Sequence, residues 1–297
     1  MCDHLSRLPL GLAWNPHGFV GLTGPLHALS EQIDRRFLDL ASSFKAEAQT
    51  FGPLLSVHDL RKIDYFSAFP HLVAFPASVD PEQDNLREFA ARNGADAEGP
   101  LCTTRNSPVH AVLAPAACYA VYIALEGTEH SGVSRAVTVR GTCFRSERVF
   151  EPLVRQPSFS MREIVHLGNA ASAKAFLEES RERVLAIAAE WGIAPSIAVA
   201  TDPFFDPARS PKYLHATLFP SKHELIDRGV ALASFNNHRN YFGKAYRITA
   251  GGDPIHTACV AFGIERWVSA IVRQHGPEPG AWPVEMRASQ QERPCDA

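Results

Sequence analysis

Arginine, glutamate and aromatic side chains with strand spacing mark two segments in the middle of the chain. Arg145 and Glu147 lie two residues apart, and Phe159, Met161 and Glu163 alternate in the next strand-like run. Residues two apart on a strand face the same side of a sheet, so each set can line one cavity. An arginine there can hold a phosphate, a carboxylate can accept from an exocyclic amine, and an aromatic ring can cover a base. The alternative for Arg145 and Glu147 is a surface ion pair across two strands.

A later arginine favours the nucleotide interpretation. Residues 256–262 have the composition of a buried strand, which breaks at Gly263 and continues with helical apolar spacing to Val272. Arg266 therefore falls in the first turn of a helix, where a basic side chain opposes the helix dipole and indicates a bound anion. An ordinary exposed arginine after a turn is the other interpretation.

These two segments, 142–163 and 256–272, resemble motifs 2 and 3 of class II aminoacyl-tRNA synthetases, the seryl type in particular. Motif 1 of that class is a long helix followed by a strand that ends in proline. Over 26–55 the chain has the apolar period of a helix and then a strand-like run that carries Pro53. In the family this element builds a dimer interface, so the resemblance implies a homodimer.

Over most of its length the chain resembles a narrower group, the amino acid:[carrier protein] ligases, which are homologues of the atypical archaeal seryl enzymes without the tRNA-binding arm. The residues before the catalytic strands contain scattered prolines and no sustained heptad pattern, so we expect no coiled-coil arm. Six segments carry this resemblance in order: Ala114-Pro115-Ala116-Ala117-Cys118-Tyr119, Cys143-Phe144-Arg145, Met161-Arg162-Glu163, Asp202-Pro203-Phe204-Phe205, Ser234-Phe235-Asn236, and His256 to Arg266.

The resemblance implies an α/β fold with a mainly antiparallel sheet flanked by helices, as one catalytic domain over residues 1–276. Residues 277–297 are rich in proline and polar side chains, which predicts a flexible tail. The implied reaction is ATP-dependent activation of a small amino acid as an aminoacyl adenylate, with Mg²⁺ on the phosphates. The aminoacyl group then passes to the phosphopantetheine thiol of an acyl or peptidyl carrier protein.

Roles for individual residues follow from the same resemblance, and Arg145 and Arg266 are the expected catalytic groups. The matching positions are Arg145 for the α-phosphate, Glu147 for the adenine amine, Phe159 for the adenine ring, Arg266 for the γ-phosphate, and Ser234 and Asn236 for the amino acid.

The six cysteines form no C-x-x-C pair and no disulfide framework, so we expect mostly reduced thiols. In the related ligases and the atypical seryl enzymes, a cysteine, a glutamate and a second cysteine bind zinc. The corresponding residues here are Cys118, Glu163 and Cys259, with both cysteines expected on strands at the active site. Three protein ligands leave one tetrahedral position open, and in the family it takes the amino group of the substrate.

Some positions depart from the family pattern. Ser160 stands where an arginine is expected, the predicted strand 213–220 lacks a glutamate near Ala216, and no carboxylate lies at Val230 before Ser234. The family's preference for glycine or alanine is therefore only a default. The departures also leave open a second class of function, a synthetase-like paralogue that binds an amino acid or a nucleotide without completing transfer.

Composition is consistent with a globular enzyme. The chain has 297 residues, of which 45% are hydrophobic and 21% charged, with a net charge of -3. It has neither a signal peptide nor a long apolar run, so we expect a soluble, cytoplasmic protein without a membrane partner. Because no basic cluster is interleaved with aromatic residues, tRNA is not an expected partner. Neither GxGxxG nor a Walker motif occurs, so ATP requires another binding device.

Overall fold

A seven-stranded sheet organises the chain. The structure is a computed structural model that describes residues 6–8, 10–95, 99–131, 134–209, 213–214, 217 and 220–283. The strands are β1 (Ser6–Leu8), β2 (Leu12–Trp14), β3 (Val20–Leu22), β4 (Glu47–Gln49), β5 (Leu54–Ser56), β6 (Ala111–Leu113), β7 (Glu129–His130), β8 (Arg135–Phe144), β9 (Ser158–Gly168), β10 (Ser196–Ala200), β11 (Lys222–Asp227), β12 (Val230–Arg239), β13 (Thr249–Ala250), β14 (Asp253–Pro254) and β15 (His256–Gly263). The helices are α1 (Gly24–Ser43), α2 (Val57–Lys62), α3 (Tyr65–Ala68), α4 (Gln83–Arg92), α5 (Cys118–Ala124), α6 (Ala170–Glu190), α7 (Tyr241–Ala245) and α8 (Ile264–His275), with short 3-10 turns at Pro70–Leu72, Pro207–Arg209 and Pro279–Ala281.

The large sheet has the strand order β10-β11-β12-β15-β9-β8-β4. Every neighbouring pair is antiparallel except β4 and β8, which are parallel. The predicted mainly antiparallel sheet with flanking helices is therefore confirmed. The described ranges include no helix with both the length and the apolar character needed to cross a membrane.

Alternation along the central strands sends side chains into two separate cores. On β9, Ile164 packs with α1, α6 and α8, whereas Val165 packs with α5 and α7. On β15, Phe262 packs in the same core as Ile164, and Cys259 packs in the same core as Val165. We name the side under α1, α6 and α8 the helix face and the opposite side the site face. Because the period along a strand is two, Phe159, Met161 and Glu163 all belong to the site face.

An ion pair fixes α1 against the sheet on the helix face. Asp34 accepts from Arg162 Nη2 at 2.8 Å and from Arg140 Nη1 at 3.2 Å. The side chains of Asp34 and Arg162 are 10% and 9% exposed. The predicted motif 1 helix is thus tied by charge to both strands of the predicted motif 2.

Arg145 and Glu147 do not lie on a strand, which corrects the sequence prediction. Strand β8 ends at Phe144, and both residues belong to the connection 145–157. The N–H of Arg145 still donates to the Pro157 carbonyl at 2.9 Å, as a ladder bond would. Proline has no N–H to return that bond, so the pairing stops there.

Cys118 also departs from its predicted strand, since it is the first residue of α5. The N–H groups of Ala117 and Cys118 donate to one carboxylate oxygen of Glu163, at 2.8 and 3.1 Å. The first N–H groups of a helix have no partner within the helix, and Glu163 supplies one. A helix can therefore begin at this position.

Two further segments differ from the sequence prediction. The strand-like run after α1 is split into β4 and β5, and the carbonyl of Pro53 between them accepts from the N–H of Ala114 at 2.8 Å. Within the predicted strand 213–220, the described residues 213–214 and 217 are helical, and Ala216 lies outside the described residues.

The predicted flexible tail begins with packed residues. Trp282 is 2% exposed in the core of the helix face, and its Nε1 donates to the Gly276 carbonyl at 3.1 Å. Residues 277–283 are therefore part of the folded body, because burial of a tryptophan holds them in place. Residues 284–297 of the predicted tail lie outside the described residues.

Candidate active site

One pocket on the site face contains all four residues predicted to contact ATP. It is lined by Arg145 and Glu147 from the 145–157 connection, Phe159 from β9 and Arg266 from α8. Ser234 on β12 lines it as well. The connection with β9, strand β12 and helix α8 come from separate parts of the sequence, and the sheet brings them together.

Arg145 is held at the pocket by two protein contacts. Its Nε and Nη2 both donate to the Pro115 carbonyl at 3.3 Å, and its guanidinium lies 5.1 Å from the centroid of the Phe159 ring. Stacking on an aromatic ring and forked donation are both properties of a planar guanidinium. The side chain is therefore oriented before any ligand is present.

Arg266 lies in the first turn of α8, as predicted. Its Nε donates to the Val154 carbonyl at 2.9 Å and its Nη1 to the Ala231 carbonyl at 3.0 Å. Burial lowers its pKa, and so does the positive charge of Arg145 and of Arg155. Guanidinium groups that repel one another in a buried pocket are a suitable site for a polyanion such as a triphosphate.

Arg155 is a pocket residue that the sequence analysis missed. It lines the pocket and pairs with Glu147 at 3.5 Å across the 145–157 connection. No local signal marks it in the sequence, because Arg155 lies in the 145–157 connection before β9, where strand alternation does not apply.

Carboxylates also reach the pocket, although none lies at Val230 just before Ser234. Glu224 on β11 lies directly opposite Ser234 and pairs with Lys222 at 3.2 Å. The carboxylate of Glu265 accepts the Ser160 N–H at 2.8 and 3.0 Å. Burial raises the pKa of Glu265. The pocket therefore has acidic groups for a cation even where the family positions lack them.

Cys118, Glu163 and Cys259 meet beside this pocket on the site face. Their ligand atoms all lie within 4.8 Å of one another, and the three residues are 3%, 1% and 2% exposed. Glu163 pairs with Ala261, which neighbours Cys259 on the same face by strand alternation. Helix α5 brings Cys118 over them. The predicted ligand set is thus assembled in space from three separate elements.

The pKa values in this cluster reflect burial and the mutual repulsion of its acidic groups. Burial raises the pKa of Glu163 to about 8, and the neighbouring Cys259 contributes to the rise. Of the two thiols, Cys259 has the lowered pKa, because Cys118, His238 and Asn236 all offer hydrogen bonds to its sulfur. A buried divalent ion would relieve this repulsion, and two sulfurs with one carboxylate oxygen are a donor set that suits Zn²⁺.

Asn236 connects the cluster to the pocket. Its Nδ2 lies 3.1 Å from Ser234 Oγ and 3.4 Å from Cys259 Sγ. The two residues predicted to contact the amino acid therefore lie between the nucleotide pocket and the cysteines. A substrate joined to a nucleotide could extend from one to the other along a single sheet face.

Comparison with curated proteins gives two relatives from Bradyrhizobium diazoefficiens. "Amino acid--[acyl-carrier-protein] ligase 1" is 36% identical over 272 residues, which cover 88% of this chain and 82% of that protein. "Amino acid--[acyl-carrier-protein] ligase 2" is 33% identical over 296 residues, covering 96% and 86%. A "Type-2 serine--tRNA ligase" of Methanopyrus kandleri is 25% identical over 286 residues, and the chain covers 54% of its length. No family model matches the sequence.

Solved structures show the same relationship at the level of the fold. The seryl-tRNA synthetase of M. kandleri, in complex with tRNASec of A. aeolicus, superimposes with a TM-score of 0.77 at 21% identity, over 93% of this chain and 57% of that chain. A cytoplasmic serine-tRNA ligase from Naegleria fowleri, solved with AMP, gives a TM-score of 0.64 at 12% identity, over 86% and 56%. The predicted class II synthetase fold is confirmed by these likenesses.

Proposed function

The chain belongs to the amino acid--[acyl-carrier-protein] ligases, and we propose that it activates a small amino acid with ATP and loads it onto the phosphopantetheine thiol of a carrier protein. One observation supports this most directly: an arginine-lined pocket and the Cys118–Glu163–Cys259 cluster share one sheet face, with Asn236 between them. Such an arrangement can hold the two parts of an aminoacyl adenylate at once.

Two displacements make up the reaction. A carboxylate oxygen of the amino acid attacks the α-phosphorus of ATP, and the bond to the bridging oxygen breaks to release pyrophosphate. The thiol of the carrier then loses its proton and attacks the carbonyl carbon of the adenylate, and AMP departs. Neither step requires a covalent bond to the protein, so positioning and charge are what the protein supplies.

In the first step the pocket arginines bind the phosphates. Arg145 neutralises the α-phosphate and Arg266 the γ-phosphate, with Arg155 available for the same chain of phosphates. Phe159 stacks on the adenine and Glu147 accepts from its amine. Magnesium, when bound with ATP, would offset phosphate charge, and Glu224 and Glu265 are the pocket carboxylates that could hold it.

The amino acid is held at the cysteine cluster. Cys118, Glu163 and Cys259 would hold a zinc ion, which would supply a fourth position for the amino group of the substrate. With zinc bound, two thiolates and one carboxylate would leave a net charge of −1, which would attract the ammonium group of an amino acid. Ser234 and Asn236 lie where they can contact the rest of the amino acid.

The test is ATP–pyrophosphate exchange with each of the standard amino acids, run on protein whose zinc content is measured in the same sample. Exchange with glycine, alanine or another small amino acid, at one zinc per chain, is the expected result. Radiolabelled amino acid is then offered to a phosphopantetheine-bearing carrier protein and to total tRNA, and only the carrier should be labelled. No exchange with any amino acid would favour a paralogue that binds without transfer.

A homodimer and a cytoplasmic location complete the proposal. α1 and β4 correspond to the element that builds the dimer interface in the class, and β4 lies at one edge of the sheet. Reducing conditions in the cytoplasm would keep Cys118 and Cys259 as free thiols, which metal binding requires. Light scattering at several protein concentrations measures the mass, and a monomer at all of them would contradict the dimer.

A further inference from the structure

His238 lies next to the cysteine cluster, and no step proposed above uses it. It follows Asn236 by two residues on β12, so its side chain is also on the site face. Its Nε2 lies 3.8 Å from Cys259 Sγ. Its Nδ1 lies 3.2 Å from the Tyr122 hydroxyl and 3.3 Å from Thr257 Oγ1. Both ring nitrogens therefore have partners, which are a sulfur at Nε2 and two hydroxyl groups at Nδ1.

The partners determine which nitrogen carries the hydrogen. The two hydroxyls next to Nδ1 can both donate, so Nδ1 can remain an acceptor. A thiolate can only accept, so the nitrogen that faces Cys259 must be the donor. A ring with its hydrogen on Nε2 can donate to the sulfur and use the single lone pair of Nδ1 to accept from the Tyr122 or the Thr257 hydroxyl.

The ring is also fixed in orientation by aromatic neighbours. It lies edge-on to Phe242 at 4.9 Å and to Tyr122 at 5.9 Å between centroids. Tyr122 stacks in turn on Phe242 at 4.1 Å. Rotation that would turn Nε2 away from Cys259 is opposed by this packing.

We propose that His238 is a positioning residue for metal binding: it donates from Nε2 to the sulfur of Cys259 and orients that sulfur toward the position that a zinc ion would take. This rests on the zinc site proposed above. Asn236 donates to the same sulfur, so Cys259 receives two N–H groups from β12. Partners of this kind orient a ligand and stabilise its charged form, and their loss typically weakens metal affinity 10–100-fold.

Two variants separate this role from simple packing. His238→Phe keeps an aromatic ring against Phe242 and Tyr122 but removes both nitrogens. His238→Gln loses the ring but keeps an N–H donor at nearly the same distance from the backbone. If His238 only fills space, the phenylalanine variant should be the milder of the two. If it positions the sulfur, the glutamine variant should be the milder.

The measurement is zinc affinity, by competition with a chromophoric chelator, together with the sulfur-to-cobalt charge-transfer band of Co²⁺-loaded protein. We expect His238→Phe to bind zinc roughly 10–100-fold more weakly and to shift the band, and His238→Gln to recover most of the affinity. Tyr122→Phe, which removes one donor to Nδ1, should have a smaller effect and none in addition to His238→Phe.

His256→Phe is the matched control. His256 lies on β15, three residues before Cys259, and lines a separate cavity with Asn240 and Asp253. Its replacement should leave zinc affinity unchanged. Equal zinc affinity and an equal cobalt band in wild type and His238→Phe would overturn the role of His238 alone. A wild-type chain that binds neither metal would overturn the zinc site as well.

Discussion

At the residue scale, Arg145 is oriented by the protein itself, through the Pro115 carbonyl and the Phe159 ring. Arg145→Ala should therefore slow ATP–pyrophosphate exchange by roughly 10²–10³, as the loss of one charge-stabilising contact costs about 2.7–4 kcal/mol of barrier. Arg148→Ala is the control, since Arg148 is exposed in the same connection and does not line the pocket. Undiminished exchange in Arg145→Ala, or equal losses in both variants, would refute the assignment.

Glu163 gives the protein without metal a specific pH dependence. Burial raises its pKa from the usual 4.5 to about 8, so between these values the folded chain keeps a proton that the unfolded chain has released. The contribution of Glu163 to the free energy of unfolding should then fall as pH rises from 5 to 7, by up to roughly 1.4 kcal/mol per pH unit. The lowered pKa of Cys259 contributes a slope of opposite sign, so the effect of Glu163 is the difference between the wild type and a variant that lacks the carboxyl group.

Urea unfolding of chelator-treated protein at several pH values measures this slope. Glu163→Gln keeps the shape of the side chain but does not titrate, so its free energy of unfolding should fall less over the same range, or rise. The same slope in both proteins would show that another group is responsible. The wild-type slope should also weaken when zinc is restored, because a bound metal requires the carboxylate to be ionised.

Sequence spacing was sufficient for some of these residues and not for others. Phe159 and Glu163 could be assigned to one face because strand alternation is a local property of the chain. Cys118 and Cys259 come from distant segments, and only the fold brings their sulfurs together, so family resemblance was needed to pair them. Arg155 lies in a connection, where no simple period applies, and was missed.

At the scale of elements, the buried pair of Asp34 and Arg162 should be a main determinant of how α1 docks on β9. Asp34→Ala leaves a buried guanidinium that keeps Thr138 as a side-chain partner but has lost its carboxylate, and it should cost roughly 3–5 kcal/mol. Glu31→Ala removes an exposed partner of Arg140 and should cost no more than about 1 kcal/mol.

Urea unfolding followed by tryptophan fluorescence suits this comparison, because Trp191 and Trp267 are buried in the same core. Comparable losses of stability in Asp34→Ala and Glu31→Ala would mean that the buried pair contributes no more to stability than the more exposed one. If α1 contributes to the interface as proposed, Asp34→Ala should also lower the fraction of dimer that light scattering measures.

The type of an element could be predicted where the apolar period continued over many residues, but the residue at which an element ends could not. The helix over 26–44 and the strand–helix junction at Gly263 both follow their apolar periods closely. The end of β8 depended on Pro157, the residue just before β9, and the start of α5 depended on a carboxylate of β9. Boundaries set by a partner across the fold leave no local pattern in the sequence.

At the scale of the whole molecule, the cysteine cluster joins helix α5 to the central sheet on the site face. Cys118 belongs to α5, Glu163 to β9 and Cys259 to β15. A metal there would therefore link α5 to the two central strands. Zinc that binds the folded chain and not the unfolded one stabilises it by about 4.1 kcal/mol when its concentration is 1,000 times the Kd. The melting temperature should therefore rise on adding zinc to chelator-treated protein.

Cys118→Ala tests whether the cluster is the cause. The variant should melt at the same temperature with and without zinc, and it should lose amino-acid activation together with the metal. Cys102→Ala is the control, because Cys102 is exposed and outside the cluster, and it should keep the full response to zinc. A zinc-dependent rise in Cys118→Ala would place the metal elsewhere, and full exchange activity in that metal-free variant would show that amino-acid binding does not depend on the ion.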